Sequence, residues 1–154
     1  MGNYELVASC SDYCGSCGQY NGLIRETAIQ MKEFTDLYGF EFRSKGLFDF
    51  EQFIKGLEWF IENAKCPGCQ QGGGPTWCEV KKCNLIKELR ICFECGEFPC
   101  SKIKYVSDPD IMDRYKRFKE IGFEKWVEEQ RQNAKEGYEI HLRKVIHLKP
   151  NFFG

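Results

Sequence analysis

The residues best able to do chemistry in this chain are its ten cysteines. Six of them form three Cys-x-x-Cys pairs, namely Cys14 with Cys17, Cys66 with Cys69, and Cys92 with Cys95. At that separation one tight turn can direct two thiolates at a single metal ion. The other four are Cys10, Cys78, Cys83 and Cys100. The spacing therefore predicts metal binding, with all ten cysteines as candidate ligands.

Zinc is the predicted metal, because structural zinc sites take four sulfur or nitrogen ligands in tetrahedral geometry. Ten cysteines can complete two such sites and leave two thiols over. One predicted set is local in sequence and consists of Cys66, Cys69, Cys78 and Cys83. The second set joins distant segments and consists of Cys14, Cys17, Cys92 and Cys95. Cys10 and Cys100 are then spare or alternative ligands, and the spacing alone does not fix this partition.

An iron–sulfur cluster or redox protein is the main alternative, because cysteine thiolates also hold iron–sulfur clusters and spacing separates the two classes poorly. Cys10, Cys14 and Cys17 match the cluster spacing of radical S-adenosylmethionine enzymes. The helical pattern of the chain does not support the barrel of those enzymes. A further alternative is a metal-dependent enzyme whose ion keeps one open coordination position.

Catalytic residues are not predicted from the remaining sequence. His141 and His147 are the two histidines, and neither lies beside a cysteine pair, so solvated or packed roles are expected for both. The glycines at 72–74 lack the G-K-[ST] ending of a phosphate-binding loop. Trp77 and Phe93, which lie beside Cys78 and Cys92, are expected to shield sulfur from water. The sequence favours a structural or interaction module over an enzyme. It does not decide whether the chain is an enzyme.

Charge and hydropathy limit the kinds of partner that the chain is expected to bind. The net charge is -1, so no broad basic face for nucleic acid is expected. Neither a secretory signal nor a membrane-spanning run is visible in the sequence. The expected protein is soluble and cytoplasmic, where reducing conditions favour metal-bound over disulfide-bonded cysteine. A protein partner is the kind of partner that these features allow.

Apolar residues at three- and four-residue intervals predict a mainly α-helical fold with irregular cysteine loops. Asp49 is the expected cap of a helix over 50–61, whose apolar stripe is expected to be core, and Gly39 is the expected end of an earlier helix. The earlier helix is predicted near 22–38, and further helices near 79–90, 108–122 and 123–136. Asp108 and Pro109 are expected to start the helix at 108–122, and Trp126 is expected to be a core residue of the last. The tail at 138–148 fits an edge strand or a continued helix. One domain over 1–154 is expected from the length.

The cysteine motifs also resemble a known family. Residues 10–17 (CSDYCGSC), 66–69 (CPGC) and 92–100 (CFECGEFPC), with Cys78 and Cys83 between them, resemble the cysteine-rich family called domain of unknown function 3795. The most specific part is the closing Cys-x-x-Cys-x-Glu-Phe-Pro-Cys. One departure is Ser11, where the family commonly has glycine.

The resemblance covers about residues 8–130, including a helix around 119–130, and leaves the tail at 138–154 outside it. It implies a small zinc-binding protein found in prokaryotes, with no activity assigned to the family. It thus agrees with the metal binding predicted from the cysteines and leaves the cellular role open.

Overall fold

The structure is a computed structural model that describes residues 3–105 and 110–147. Within that part of the chain it has six α-helices and one two-stranded sheet, which confirms the predicted mainly helical class. Its contacts divide into two compact units. We call residues 3–17, 66–105 and 110–146 unit 1, and residues 18–65 with His147 unit 2. The expectation of one domain stays a prediction.

Unit 2 is built from three helices: α1 Leu23–Leu37, α2 Phe40–Arg43 and α3 Phe50–Asn63. Helix α1 ends where predicted, because Gly39 follows it in the left-handed conformation at φ 62. Helix α2 lies in a stretch for which no helix was predicted. Helices α1 and α3 pack together, and Lys32 forms an ion pair with Glu58 at 2.6 Å between them.

The apolar stripe of α3 was predicted to be core, but the structure shows a half-buried face. Phe53, Ile54 and Leu57 are partly buried, and Phe60 is 45% exposed. A pair of packed helices covers only one side of each helix, so the rest of the stripe faces solvent.

Asp49 caps α3 as the sequence predicts, since its carboxylate accepts a hydrogen bond from the Gln52 backbone N–H at 3.0 Å. Replacing Asp49 with alanine leaves that N–H unpaired and should lower the free energy of unfolding by about 1 kcal/mol. Asp49→Asn is the matched control, because an asparagine oxygen can accept the same bond. Urea denaturation of both variants checks this prediction, and equal losses for the two would contradict it.

Unit 1 contains the other helices: α4 Glu79–Ile86, α5 Ile111–Ile121 and α6 Phe123–Lys135. The predicted start of α5 at Asp108 and Pro109 lies outside the described residues. Gly122 separates α5 from α6 at φ 78, as expected for a helix end. The tail forms a short hairpin of β1 Tyr138–Glu139 and β2 Lys144–Val145, paired antiparallel. An edge strand, one of the two expectations for the tail, is therefore present.

The core of unit 1 is an aromatic cluster around Phe93, which is fully buried. Its ring lies 5.1 Å from that of Phe98, 5.4 Å from that of Tyr115 and 5.7 Å from that of Trp126. The prediction that Trp126 is a core residue is confirmed. Trp77 was expected to shield sulfur, and this is wrong, because its side chain is 69% exposed.

Among the described residues, no helix combines the length and the apolar character needed to cross a membrane.

Candidate metal centre

Two Cys-x-x-Cys pairs adopt the same local turn. Cys14–Ser16 and Cys92–Glu94 are short 3-10 helices, each preceded and followed by extended backbone. The Cys17 N–H donates to the Cys14 carbonyl at 2.9 Å, and the Cys95 N–H donates to the Cys92 carbonyl at 2.9 Å. We call these two turns the first and second knuckles. A turn of this kind brings the two thiols of each pair to the same side of the chain.

Buried aromatic residues anchor both knuckles. Tyr13, directly before Cys14, is 2% exposed, and Phe93 lies inside the second knuckle at the centre of the aromatic cluster. The sequence had suggested that Phe93 shields sulfur, and its position shows that it also forms the core. The cysteine turns and the hydrophobic core of unit 1 are therefore built from adjacent residues.

Hydrogen bonds join the segment before the first knuckle to the second knuckle. The Ser9 carbonyl accepts from the Cys92 N–H at 2.9 Å and from Asn84 Nδ2 at 2.8 Å, and Ser11 Oγ accepts from the Phe93 N–H at 3.2 Å. Ser11 is fully buried with φ 70, in the left-handed region that favours glycine. Glycine, the residue expected here from the resemblance, would adopt this conformation without strain. Here the serine hydroxyl binds the second knuckle instead.

Five cysteines gather around the first knuckle. The Cys69 N–H donates to Cys14 Sγ at 3.5 Å, and Cys17, Cys66 and Cys69 lie near enough to raise the pKa of the Cys14 thiol. The thiol of Cys10 interacts with Cys69 and lies 3.4 Å from Asp12 Oδ2. We call this set the amino-terminal thiol cluster; its members are Cys10, Cys14, Cys17, Cys66 and Cys69.

Four further cysteines gather around the second knuckle. Cys83, Cys95 and Cys100 lie near enough to raise the pKa of the Cys92 thiol, which donates to Asn84 Oδ1 at 3.5 Å. We call Cys83, Cys92, Cys95 and Cys100 the second thiol cluster. Cys83 reaches it from α4, which packs against the short helix at Ser101–Tyr105.

The structure groups the cysteines differently from the partition that the sequence suggested. Cys66 and Cys69 join the first knuckle, whereas Cys83 joins the second. Cys78 precedes α4 and packs against the apolar core, as do Cys10, Cys95 and Cys100. The sequence assigned the first and second knuckles to one ion, and that assignment stays a prediction. All ten cysteines carry free thiols.

Burial makes several of these thiols hard to ionise. It raises the pKa of Cys10 well above its usual value, that of Cys14 to about 11 and that of Cys92 to about 12. Neighbouring thiols raise these pKa values further, because thiolates repel one another. A bound cation would remove both penalties by stabilising the thiolate form.

Lysine ammonium groups lie close to both clusters. Lys81 Nζ donates to the carbonyls of Cys69 and Gly73, each at 3.2 Å. Lys87 Nζ lies 3.8 Å from Cys95 Sγ and 2.8 Å from a carboxylate oxygen of Glu97. The hydrogen bond to Glu97 and the nearby thiols of Cys95 and Cys83 raise the pKa of Lys87, so this group remains charged. Positive charge here offsets part of the negative charge of a metal–thiolate centre.

The tightest set of ligand atoms combines Cys17, Glu139 and His141, whose ligating atoms all lie within 4.8 Å of one another. It is the one such set among residues 3–105 and 110–147, so no three thiols there approach one another this closely. A hydrogen bond to Cys17 raises the pKa of His141. The sequence pointed to solvated or packed histidines, and it did not single out Glu139. No spacing signal was available, because both residues are more than 100 positions from Cys17.

Gly73 makes room for the amino-terminal thiol cluster. A Cβ atom there would lie 2.6 Å from Cys66 Sγ and 2.7 Å from the Gly68 carbonyl oxygen. Gly73→Ala should therefore displace Cys66 and lower the free energy of unfolding by about 1–3 kcal/mol. Gly96→Ala is the control, since Gly96 follows a cluster cysteine and a Cβ there meets nothing within 4 Å.

Thermal denaturation and bound metal per chain, measured on both variants, check this prediction. A Gly73→Ala chain that matches Gly96→Ala in both quantities would contradict it.

No curated protein and no solved structure matches the chain. One family model does match, over residues 6–105, and its description is "Protein of unknown function (DUF3795)". The match spans both thiol clusters and ends before the hairpin that carries Glu139 and His141. Because it covers more than half of the sequence, the chain belongs to this family.

Proposed function

We propose that the protein is a zinc-binding module in which the two thiol clusters act as structural metal centres. The observation that carries the proposal is the gathering of nine cysteines around two knuckles, in the first cluster from positions as far apart as Cys10 and Cys69. Four thiolates in tetrahedral arrangement are the usual ligand set of structural zinc. The buried thiols and the adjacent lysines fit a cation at each cluster.

In this role the bound zinc ions would stabilise the folded state of unit 1. The amino-terminal thiol cluster would link the start of the chain to the loop at 66–74, and the second cluster would link α4 to the loop at 92–100. The side chain of Arg114 supports the first of these regions, because it pairs with Asp12 at 2.7 Å and donates to the Ser11 carbonyl at 3.0 Å.

An iron–sulfur cluster is the second candidate, and one observation favours it. No three thiols among the described residues lie within 4.8 Å of one another, and a cluster of several atoms accepts more widely spaced thiols than a single ion does. Zinc would require the thiols of each cluster to move closer together than they lie in the structure.

Metal and sulfide analysis of one anaerobically purified sample decides between the two. Under the proposal, the full chain contains at least two zinc ions per molecule, no acid-labile sulfide and no visible absorption. Stoichiometric iron and sulfide in a brown sample would support the second candidate. A chain without bound metal, or with disulfides between its cysteines, would overturn both.

An interaction role fits the surface of unit 2. Several large apolar side chains on its described residues face solvent, including Leu37 and Phe42, each 81% exposed, and Leu47, 79% exposed. Exposed apolar groups of this size are common on surfaces that contact another protein. We therefore propose a protein partner rather than nucleic acid, in line with the net charge of -1.

A further inference from the structure

We propose that Cys17, Glu139 and His141 form a third metal site, distinct from the two thiol clusters, that binds a divalent cation of the zinc class and keeps one coordination position open. The inference rests on the proposed function, because it assigns Cys17 to this site and leaves four other thiols for the amino-terminal thiol cluster. Three ligating atoms, one from each residue, lie within 4.8 Å of one another.

The backbone holds these ligands in place before any ion binds. Glu139 Oε2 accepts hydrogen bonds from the backbone N–H groups of His141 at 2.8 Å and Leu142 at 2.6 Å. The Ile140 N–H donates to the Ser16 carbonyl at 2.9 Å, which attaches the β1–β2 hairpin to the first knuckle. Ligands fixed in this way lose little conformational entropy on binding.

The turn that carries His141 is also fixed at its base. The Ile146 N–H donates to the Gly137 carbonyl at 2.9 Å, and the Arg143 N–H donates to the Glu139 carbonyl at 2.8 Å. Gly137 has φ 90, and a Cβ there would lie 2.7 Å from the Ile146 carbonyl oxygen. A glycine is therefore required for the hairpin to bring its two ligands to the knuckle.

Burial and access suit a reactive metal site. The Glu139 side chain is buried, and a buried carboxylate is costly unless hydrogen bonds and a positive charge compensate it. Cys17 is partly buried, while His141 is exposed. A cation bound here would contact the buried Glu139 carboxylate and would be open to solvent on the side of His141.

The chemistry of the donors selects the metal. A thiolate, an imidazole and a carboxylate together favour zinc or a similar transition ion over calcium or magnesium, which prefer oxygen ligands. Three protein ligands leave the fourth position of a tetrahedral ion for water or a small anion, as in catalytic zinc sites. The amino-terminal thiol cluster holds five cysteines, so Cys10, Cys14, Cys66 and Cys69 can complete a closed site without Cys17.

Zinc titration of the reduced full-length chain, at free zinc concentrations set by a competing chelator, tests the site. We expect the wild type to bind three ions and His141→Ala to bind two. The affinity of His141→Ala for the third ion should be at least about 100-fold weaker than that of the wild type. His147→Ala is the control, since His147 lies outside unit 1, and it should bind three. Circular dichroism establishes that the exposed substitutions leave the fold intact.

Two outcomes separate this inference from the proposed function. If the wild type and His141→Ala both bind two ions with equal affinities, the third site is refuted and the two thiol centres stand. If neither chain binds zinc, both proposals are refuted.

A second measurement addresses the open position. In the cobalt-loaded wild type, added azide should change the visible absorption spectrum, and in His141→Ala it should not. A spectrum that azide leaves unchanged in the wild type would contradict the open position.

Discussion

Removing the bound metal from the full chain should unfold unit 1. Structural zinc contributes about 10–16 kcal/mol in small peptides, whereas the net stability of a domain is about 5–15 kcal/mol. The aromatic core around Phe93 is formed partly by the second knuckle, so loss of its ligands should also disrupt the core. Chelation should therefore abolish the near-ultraviolet circular dichroism signal of the buried aromatic residues.

Hydrogen exchange provides an internal control for this prediction. Residues 18–65 contain no cysteine, so amide protection in α1 and α3 should decrease less than protection in α4 and α6. An unchanged melting curve after verified metal removal would show that the thiol clusters do not stabilise the fold.

Truncating Trp126 should cause the largest loss of any single core substitution. The side chain is fully buried and packs edge-on against Phe93 and Phe118, with ring centres 5.7 Å and 5.9 Å away. Trp126→Ala removes these contacts and leaves a cavity, which should cost about 3–5 kcal/mol. Urea denaturation of the metal-loaded protein measures this change.

Trp77→Ala is the matched control, because it removes the same side chain from a position that is 69% exposed. Its effect should stay within about 0.5 kcal/mol. If the two variants have similar midpoints, the aromatic cluster does not form the core of unit 1.

Local signals in the sequence predicted much of the helical structure. The Asp49 cap and the left-handed glycine at Gly39 depend on neighbouring residues only, so the ends that they mark can be inferred from the sequence. Helix α2 was missed because its four residues, Phe40–Arg43, are too few to show a helical period.

The candidate site was only partly predictable. Spacing identifies a Cys-x-x-Cys turn, but the choice of partner for each turn depends on tertiary packing. Cys69 meets Cys14 because the loop at 66–74 folds back on the first knuckle, and that contact depends on tertiary packing rather than on cysteine spacing. For the same reason His141 gave no signal, since a hairpin 124 positions later in the sequence brings it to Cys17.

X-ray absorption at the zinc edge of the metal-loaded full chain tests the central claim most directly. The account predicts a first shell dominated by sulfur at about 2.3 Å, with a smaller contribution from nitrogen and oxygen at about 2.0–2.2 Å. A shell made only of nitrogen and oxygen would show that the thiol clusters are not the zinc ligands.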